Sequence, residues 1–366
     1  MTIAPIRLLI AASGTGGHLF PAIALAEQLP DYQIEWLGVP NRLETQLVPS
    51  EYELHTIDLE GFQQRFGLGT LRILGKFSRS ILQVRKLLKQ GNFQGVFTTG
   101  GYIAAPAVIA ARSLGLPAIL HEANAIPGKV TKTLSPLCSA VALGFEPTAK
   151  YLPRIKTIYT STPVRSSFRG ASLTQFQKGA IEKLPPLDLP IPENVPLILV
   201  VGGSQGAVAV NKLVRQCVLT WFDAGAWVVH LTGNNDPEVD LIKHPQYFTL
   251  PFYDNMARLL QRANLVIGRA GAGTVTELAI MRKPAIFIPL PTAAEDHQFY
   301  NAQILATIGA ALVFRQSELT PEILSTQVLN LLRSPTQLEQ MGEKAGAIAI
   351  PDSASRLATL VRQLVV

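Results

Sequence analysis

Leu8-Leu9-Ile10-Ala11-Ala12-Ser13-Gly14-Thr15-Gly16-Gly17-His18 and Leu197-Ile198-Leu199-Val200-Val201-Gly202-Gly203-Ser204-Gln205-Gly206 open the two halves of this chain in the same way. Each is an apolar, β-prone run, then a glycine turn, then a helical pattern. Strands apolar on both faces belong in a parallel sheet covered by helices. Outward from Arg7–Ala12, strands are expected at Gln33–Val39, Gly95–Thr99, Pro117–His121 and Ala140–Leu143. After Leu197–Val201 they recur at Ala226–Leu231, Tyr247–Leu250, Leu265–Gly268 and Ala285–Pro289. Helical patterns such as Pro21–Leu29, Val208–Leu219 and Thr274–Met281 lie between them. The alternation predicts an α/β fold with two Rossmann-like, parallel-sheet domains.

At 366 residues the chain is also too long for one ordinary core. The hinge is placed near Pro163–Arg165, giving domains at 1–164 and 165–350. The five prolines of Leu184–Pro196 mark a loop. Ser353–Val366 follows Pro351 as an amphipathic helix with Ser353 at its cap, and 351–366 is expected to pack back on the first domain.

With 48% hydrophobic and 16% charged residues, the composition excludes a largely disordered chain. Cys138 and Cys217 cannot form a disulfide framework and fit buried thiols in a reducing compartment. No Cys/His spacing suits a metal, and no cofactor is implied. The opening segment lacks the order of a secretory leader. The most apolar stretch, Ile103–Leu120, is broken by Pro106, Arg112 and Pro117, so no membrane span is expected.

The formal charge is +6, and its placement is informative. From Gly61 to His121 there is no acid, whereas Arg65, Arg72, Lys76, Arg79, Arg85, Lys86, Lys89 and Arg112 fall inside the span. Leu74, Phe77, Ile81, Val84 and Leu88 recur at steps of three and four as a core-facing stripe, with Arg72, Lys76, Arg79 and Lys86 opposite. A one-signed basic face implies an anionic partner. No nucleic-acid motif accompanies it, so the expected partner is an anionic lipid surface.

Glycine turns after parallel strands let backbone N–H groups approach an anion at a helix N-terminus. A third turn, Arg269-Ala270-Gly271-Ala272-Gly273-Thr274, follows Leu265–Gly268. None ends in Gly-Lys-Ser/Thr, which disfavours an ordinary ATPase or kinase, and the first lacks the full dinucleotide spacing. Glu277 stands three residues after Thr274, so it is either half of a capping box or a ribose ligand; spacing alone favours the cap. His18, at or near a helix start, is either a turn-bonding imidazole or a general base whose proton affinity the helix dipole lowers. Gln298 and Asn301 share a helical face suited to sugar hydroxyls, and equally to solvent.

Taken in order, Gly14-Thr15-Gly16-Gly17-His18, Thr99-Gly100-Gly101-Tyr102, His121-Glu122-Ala123-Asn124, Pro163-Val164-Arg165, Gly202 to Ala207, Gly271 to Glu277 and Asp296-His297-Gln298 with Asn301 resemble the MurG family of peptidoglycan N-acetylglucosaminyltransferases. The likeness spans nearly the whole chain. It implies the GT-B arrangement, two Rossmann-like domains facing a cleft. It implies inverting transfer of N-acetylglucosamine from UDP-N-acetylglucosamine to the muramyl 4-hydroxyl of lipid I, forming lipid II. By position, His18 is the candidate base, and Thr15, Gly16 and Gly17 approach donor or acceptor phosphates. Asn124, Arg165 and Ser204 line the donor site, and the backbone at Tyr253 contacts uracil. Ala272, Gly273, Thr274, Val275, Thr276 and Glu277 hold the nucleotide, with Glu277 on ribose, while Gln298 and Asn301 reach the sugar. The resemblance implies a peripheral enzyme on the cytoplasmic face of the plasma membrane, with Arg72, Lys76 and Arg79 facing lipid and cell-wall assembly proteins as partners. Ser161-Thr162 stand where the family usually has Gly-Asn. The rival readings are a GT-B transferase acting on another lipid, such as diacylglycerol, and a non-catalytic protein that binds anionic lipid.

Overall fold

The computed structural model describes residues 5–59, 68–168, 187–202 and 206–366, and the side chains of 68–73 lie outside that description. The chain divides into two compact units, Met1–Arg165 with Asp352–Val366, and Ser166–Pro351.

The first unit is built on β1 (Ile6–Ala11), β2 (Tyr32–Gly38), β3 (Glu53–Thr56), β4 (Gly95–Thr98), β5 (Ala118–Glu122), β6 (Ala140–Leu143) and β7 (Thr157–Tyr159). All pair in parallel, in the order β3-β2-β1-β4-β5-β6-β7. Period-2 alternation sorts β1 between two cores. Leu8 and Ile10 pack with Leu19, Ala22 and Leu25 of α1 (Gly16–Ala26). Leu9 and Ala11 pack on the other face with Val84, Leu88, Ala107 and Val108. These last residues belong to α3 (Leu68–Gln90) and α4 (Ala104–Ser113); the single turn α2 (Glu44–Leu47) and α5 (Lys129–Leu134) complete the helices used below. Because the order reverses between β1 and β4, their outgoing loops diverge and leave a crevice at the strands' carboxyl ends.

The C-terminal helix, Ser353–Leu364, closes the first core with Leu357, Val361 and Val365. Tyr32 Oη donates to Val365 O at 2.8 Å, and a Cβ on Gly95 would meet Val365 at 2.6 Å. Asp352, not Ser353, is the N-cap residue; Ser353 lies inside the first turn, fully buried. Burial of that turn displaces the expected cap by one residue.

The second unit repeats the topology with β8 (Leu197–Val201), β9 (Trp227–Leu231), β10 (Tyr247–Leu250), β11 (Leu265–Gly268), β12 (Ala285–Phe287) and β13 (Ala311–Val313), in the order β10-β9-β8-β11-β12-β13. Ile198 and Val200 pack on Val210, Val214, Cys217 and Trp221 of the helix Val208–Asp223. The reversal here falls between β8 and β11.

Three strands escape sequence reading: β3, β7 and β13. All are short edge strands. An edge strand pairs on one side and needs no continuous apolar run. α1 begins five residues before the expected Pro21, which falls inside it. Two expectations for α3 are corrected. Leu74 is 48% exposed, and among the described residues the core cluster takes Ile81, Val84 and Leu88 of this helix and not Leu74. Lys76 does not face outward as a free cation; it is half-buried and pairs with Asp58 at 3.2 Å.

Candidate active site

At the first unit's crevice, Gly14 turns the chain at φ +104 and Thr15 becomes the N-cap of α1, with an exposed side chain. The N–H groups of Gly16 and Gly17 have no carbonyl one turn back and point out of the helix end. Gly16 leaves no space for a side chain, since a Cβ would lie 2.8 Å from the Phe20 ring.

His18 is half-buried in the first turn of α1, with Nδ1 2.8 Å from the carbonyl oxygen of Thr99, on the loop after β4. A carbonyl only accepts, so Nδ1 carries the hydrogen and Nε2 presents its lone pair. Beside that nitrogen the backbone turns through Gly100 (φ +90) and Gly101 (φ +73), where a Cβ would sit 3.8 Å from Nε2. Desolvation pushes the His18 pKa below its ordinary 6.5, opposed by the Thr99 bond and the charge of Glu122. The imidazole is therefore neutral near pH 7 with Nε2 ready to accept a proton.

The loop after β5 is organised by Glu122. Its carboxylate accepts from Asn124 N and Nδ2, from Gly128 N and from Thr131 Oγ1 at 2.5–3.1 Å, which fixes the position of Asn124. His121 is fully buried, and burial lowers its pKa to about 4. Its Nε2 lies 3.2 Å from Ser161 O. Ser161 has φ +62, a left-handed conformation that glycine adopts freely, which rationalises the glycine usual at that place in the family it resembles. Arg165 stacks 4.7 Å above the Phe20 ring.

The second unit's crevice holds the other two turns. Gly206 (φ +73) has no room for a Cβ, which would lie 2.8 Å from Thr232 O; Ser204 lies outside the described residues. A buried chain of polar groups reaches Thr232, the residue whose carbonyl crowds Gly206. Tyr247 Oη donates to His230 Nδ1 (2.7 Å), His230 Nε2 donates to Asn211 Oδ1 (3.0 Å), and Asn211 Nδ2 donates to Thr232 O (2.9 Å) and Asp236 Oδ2 (2.8 Å). Arg215 pairs with Asp236. Desolvation holds His230 neutral, its pKa lowered to about 3.

The third turn starts the helix Ala272–Ile280, whose N-cap is Gly271. Thr274 is thus the third helical residue and the capping-box reading of Thr274 and Glu277 is corrected: the small residues Ala272 and Gly273 join the helix earlier than the spacing implies. Ala272, Gly273 and Thr274 contribute the outward-pointing amides. Ala272, Val275 and Thr276 turn their side chains inward, Thr276 Oγ1 donating to Ala272 O at 3.0 Å; Val275 N donates to Gly271 O at 3.0 Å, so of these three only Ala272 offers a ligand a backbone amide. Gly273 has no positive φ and a Cβ on it would meet nothing within 4 Å. Neither conformation nor packing demands a glycine there, and the surface above the amides is left open.

Gln298 Oε1 accepts from Leu290 N at 3.0 Å, which orients the rest of its amide. Asn301, expected at the sugar, is fully buried in this conformation, and its Nδ2 donates to Ala270 O (3.1 Å); it shapes the loop from behind. The Tyr253 hydroxyl donates to Asp188, and burial with that carboxylate pushes its pKa up to about 12.

Several participants have no clear mark in the sequence. Arg269 ties the end of β11 to that of β12 by donating to Ile288 O (2.9 Å), Pro289 O (3.0 Å) and Gln316 Oε1 (2.8 Å). His230 alone had a readable signal, a polar residue inside the apolar strand Trp227–Leu231. Glu44, discussed below, had none. The side of each unit where loops leave the sheet thus offers helix-end amides for phosphate, and in the first unit a neutral imidazole base stands beside them. Such parts suit group transfer from a phosphorylated donor to a hydroxyl.

Comparison with known proteins points the same way. The Glycosyltransferase family 28 N-terminal domain matches residues 8–143, and the Glycosyltransferase family 28 C-terminal domain matches residues 197–357. A Nostoc punctiforme protein named UDP-N-acetylglucosamine--N-acetylmuramyl-(pentapeptide) pyrophosphoryl-undecaprenol N-acetylglucosamine transferase is 68% identical over 365 residues, covering 100% of this chain and 99% of its own. The crystal structure of Acinetobacter baumannii MurG is 32% identical, with a TM-score of 0.75 over 98% of this chain and 100% of that one. The glycotransferase of kitacinnamycin shares the fold at 15% identity, with a TM-score of 0.73 over 100% of both chains.

Proposed function

Because the chain belongs to glycosyltransferase family 28, we propose that it transfers N-acetylglucosamine from UDP-N-acetylglucosamine to N-acetylmuramyl-(pentapeptide) pyrophosphoryl-undecaprenol, the acceptor named for its relatives. The observation that carries the chemistry is His18, with Nδ1 committed to Thr99 O and a neutral Nε2 beside the Gly100-Gly101 turn. Nε2 takes the proton from the acceptor 4-hydroxyl as that oxygen attacks the anomeric carbon of the donor. The C1–O bond to the diphosphate breaks on the opposite face, so the configuration inverts and UDP leaves.

Charge then grows on the departing diphosphate. Helix-end amides at Ala272, Gly273 and Thr274, and the guanidinium of Arg165, suit that charge. Glu277 serves the ribose, Gln298 the sugar, and the backbone at Tyr253 the uracil. Thr15, Gly16 and Gly17 receive the acceptor's diphosphate, and the loop of Asn124 frames the donor. Asn301 acts through the loop it holds.

The outer face of α3 is the membrane side of this reading. Leu82 is 65% exposed there, among Arg79, Arg85, Lys86 and Lys89. Apolar residues set in a basic face suit an anionic bilayer better than they suit solvent. Among the described residues no helix is long and apolar enough to cross a membrane. The enzyme then works peripherally, on the cytoplasmic face where its nucleotide donor is found.

The deciding assay follows label from UDP-N-acetylglucosamine into a short-chain analogue of the muramyl pyrophosphoryl-lipid, with diacylglycerol offered in parallel. Transfer to the muramyl acceptor alone is expected. Transfer to diacylglycerol instead, or none to either, rejects the reading.

A further inference from the structure

Glu44 is fully buried, yet it takes no part in the chemistry described above. It opens the single turn α2, and its carboxylate reaches back to the first glycine turn. Oε1 accepts from Ser13 Oγ at 2.5 Å and from Val39 N at 2.8 Å, and Oε2 accepts from Gly14 N at 3.2 Å. Space for it is made by Gly38, where a Cβ would lie 2.8 Å from Glu44 Cγ. The same segment places the Arg42 guanidinium 3.9 Å from where a Gly14 side chain would begin.

We infer that Glu44 is a positioning residue: it locks the Ser13-Gly14 turn so that the amides of Gly16 and Gly17 and the ring of His18 meet the acceptor in one fixed arrangement. A buried carboxylate is costly unless it is fully hydrogen-bonded. Three donors from two different loops satisfy it, and two of the three belong to the turn itself. Gly14 at φ +104 has wide conformational freedom, so a turn built on it needs an outside restraint. A carboxylate supplies acceptors only, which suits three converging donors; an amide of the same shape would set an N–H₂ against one of them.

The inference rests on the transferase reading, and the unmodified enzyme's transfer activity tests that reading separately. Glu44→Gln and Ser13→Ala are compared with wild type in steady-state transfer, UDP binding and thermal melting. Glu44→Gln is expected to lower kcat/KM for the acceptor about tenfold, the scale of one charged hydrogen bond, with UDP affinity within about twofold of wild type. Ser13→Ala should show a smaller loss of the same kind, and the double variant should be no worse than Glu44→Gln alone, because Ser13 Oγ acts through the Glu44 carboxylate. A lowered melting temperature with wild-type kinetics below it would overturn the inference, and so would equal losses toward donor and acceptor. If Glu44→Gln does not fold, Ser13→Ala decides: an unchanged acceptor kcat/KM overturns the proposal.

Discussion

His18 shows how one hydrogen bond assigns a role to a side chain. Thr99 O fixes the tautomer, and desolvation keeps the ring neutral, so Nε2 has both a free lone pair and a lowered affinity for a proton. The sign of the pH effect follows. A pKa below 6.5 means that the base is intact at neutral pH and is lost only as acid approaches that lower value. The acidic limb of kcat/KM for the acceptor is therefore expected below pH 6.5, and a pH–rate profile checks it; a limb above 6.5 would count against His18. His18→Ala should cut kcat by roughly 100- to 10,000-fold while leaving UDP affinity nearly unchanged. A loss confined to donor binding would assign the base to another group. At this scale the sequence singled out His18, whereas the Thr99 contact that fixes its tautomer comes from a residue 81 positions away.

Among the elements, α3 separates most clearly into two faces. Its inner stripe of Ile81, Val84 and Leu88 anchors it on α4, and its outer face carries exposed Leu82 among Arg79, Arg85, Lys86 and Lys89. Lys76 pairs locally with Asp58, an acid outside the acid-free span, so the set of exposed cations differs from the one the helical wheel proposes. The side chain of Arg72, another member of the helical-wheel set, lies outside the described residues. Changing Arg79, Lys86 and Lys89 to Glu should weaken binding to anionic vesicles by at least about 1 kcal/mol for each cation lost. The effect should shrink as salt shortens the screening length. Cosedimentation with vesicles of stated anionic content measures it, and salt-independent or unchanged binding would return this face to solvent. Changing Lys76 in the same way should matter less.

At the scale of the whole molecule, the two units use one topology twice, and each puts its glycine turns where the strand order reverses. The first unit is completed from the far end of the chain. Leu357 and Val361 share a core with Leu8 and Ile10, and Tyr32 Oη is held by Val365 O. Leu357→Ala should cost about 2–5 kcal/mol, as for other buried leucines. Urea denaturation followed by Trp36, buried in that unit, measures the change. A shift below about 0.5 kcal/mol would mean that the terminal helix is an accessory to this core rather than part of it.

The sequence by itself determined the α/β class, the repeated strand–turn–helix openings and the residues of the three glycine turns. Those features are local, written in apolar runs of strand length and in the glycines that follow them. The short edge strands β3, β7 and β13 left no such mark, since half-buried strands need no apolar run. Tertiary structure alone decided which polar groups meet. Glu44 on Ser13 and Gly14, His230 on Asn211, and Asn301 behind Ala270 are contacts between segments that only the folded sheets bring together. It also moved the start of the helix after the third glycine turn to Ala272, against the Thr274–Glu277 spacing, with Gly271 as its N-cap and Ala272 buried.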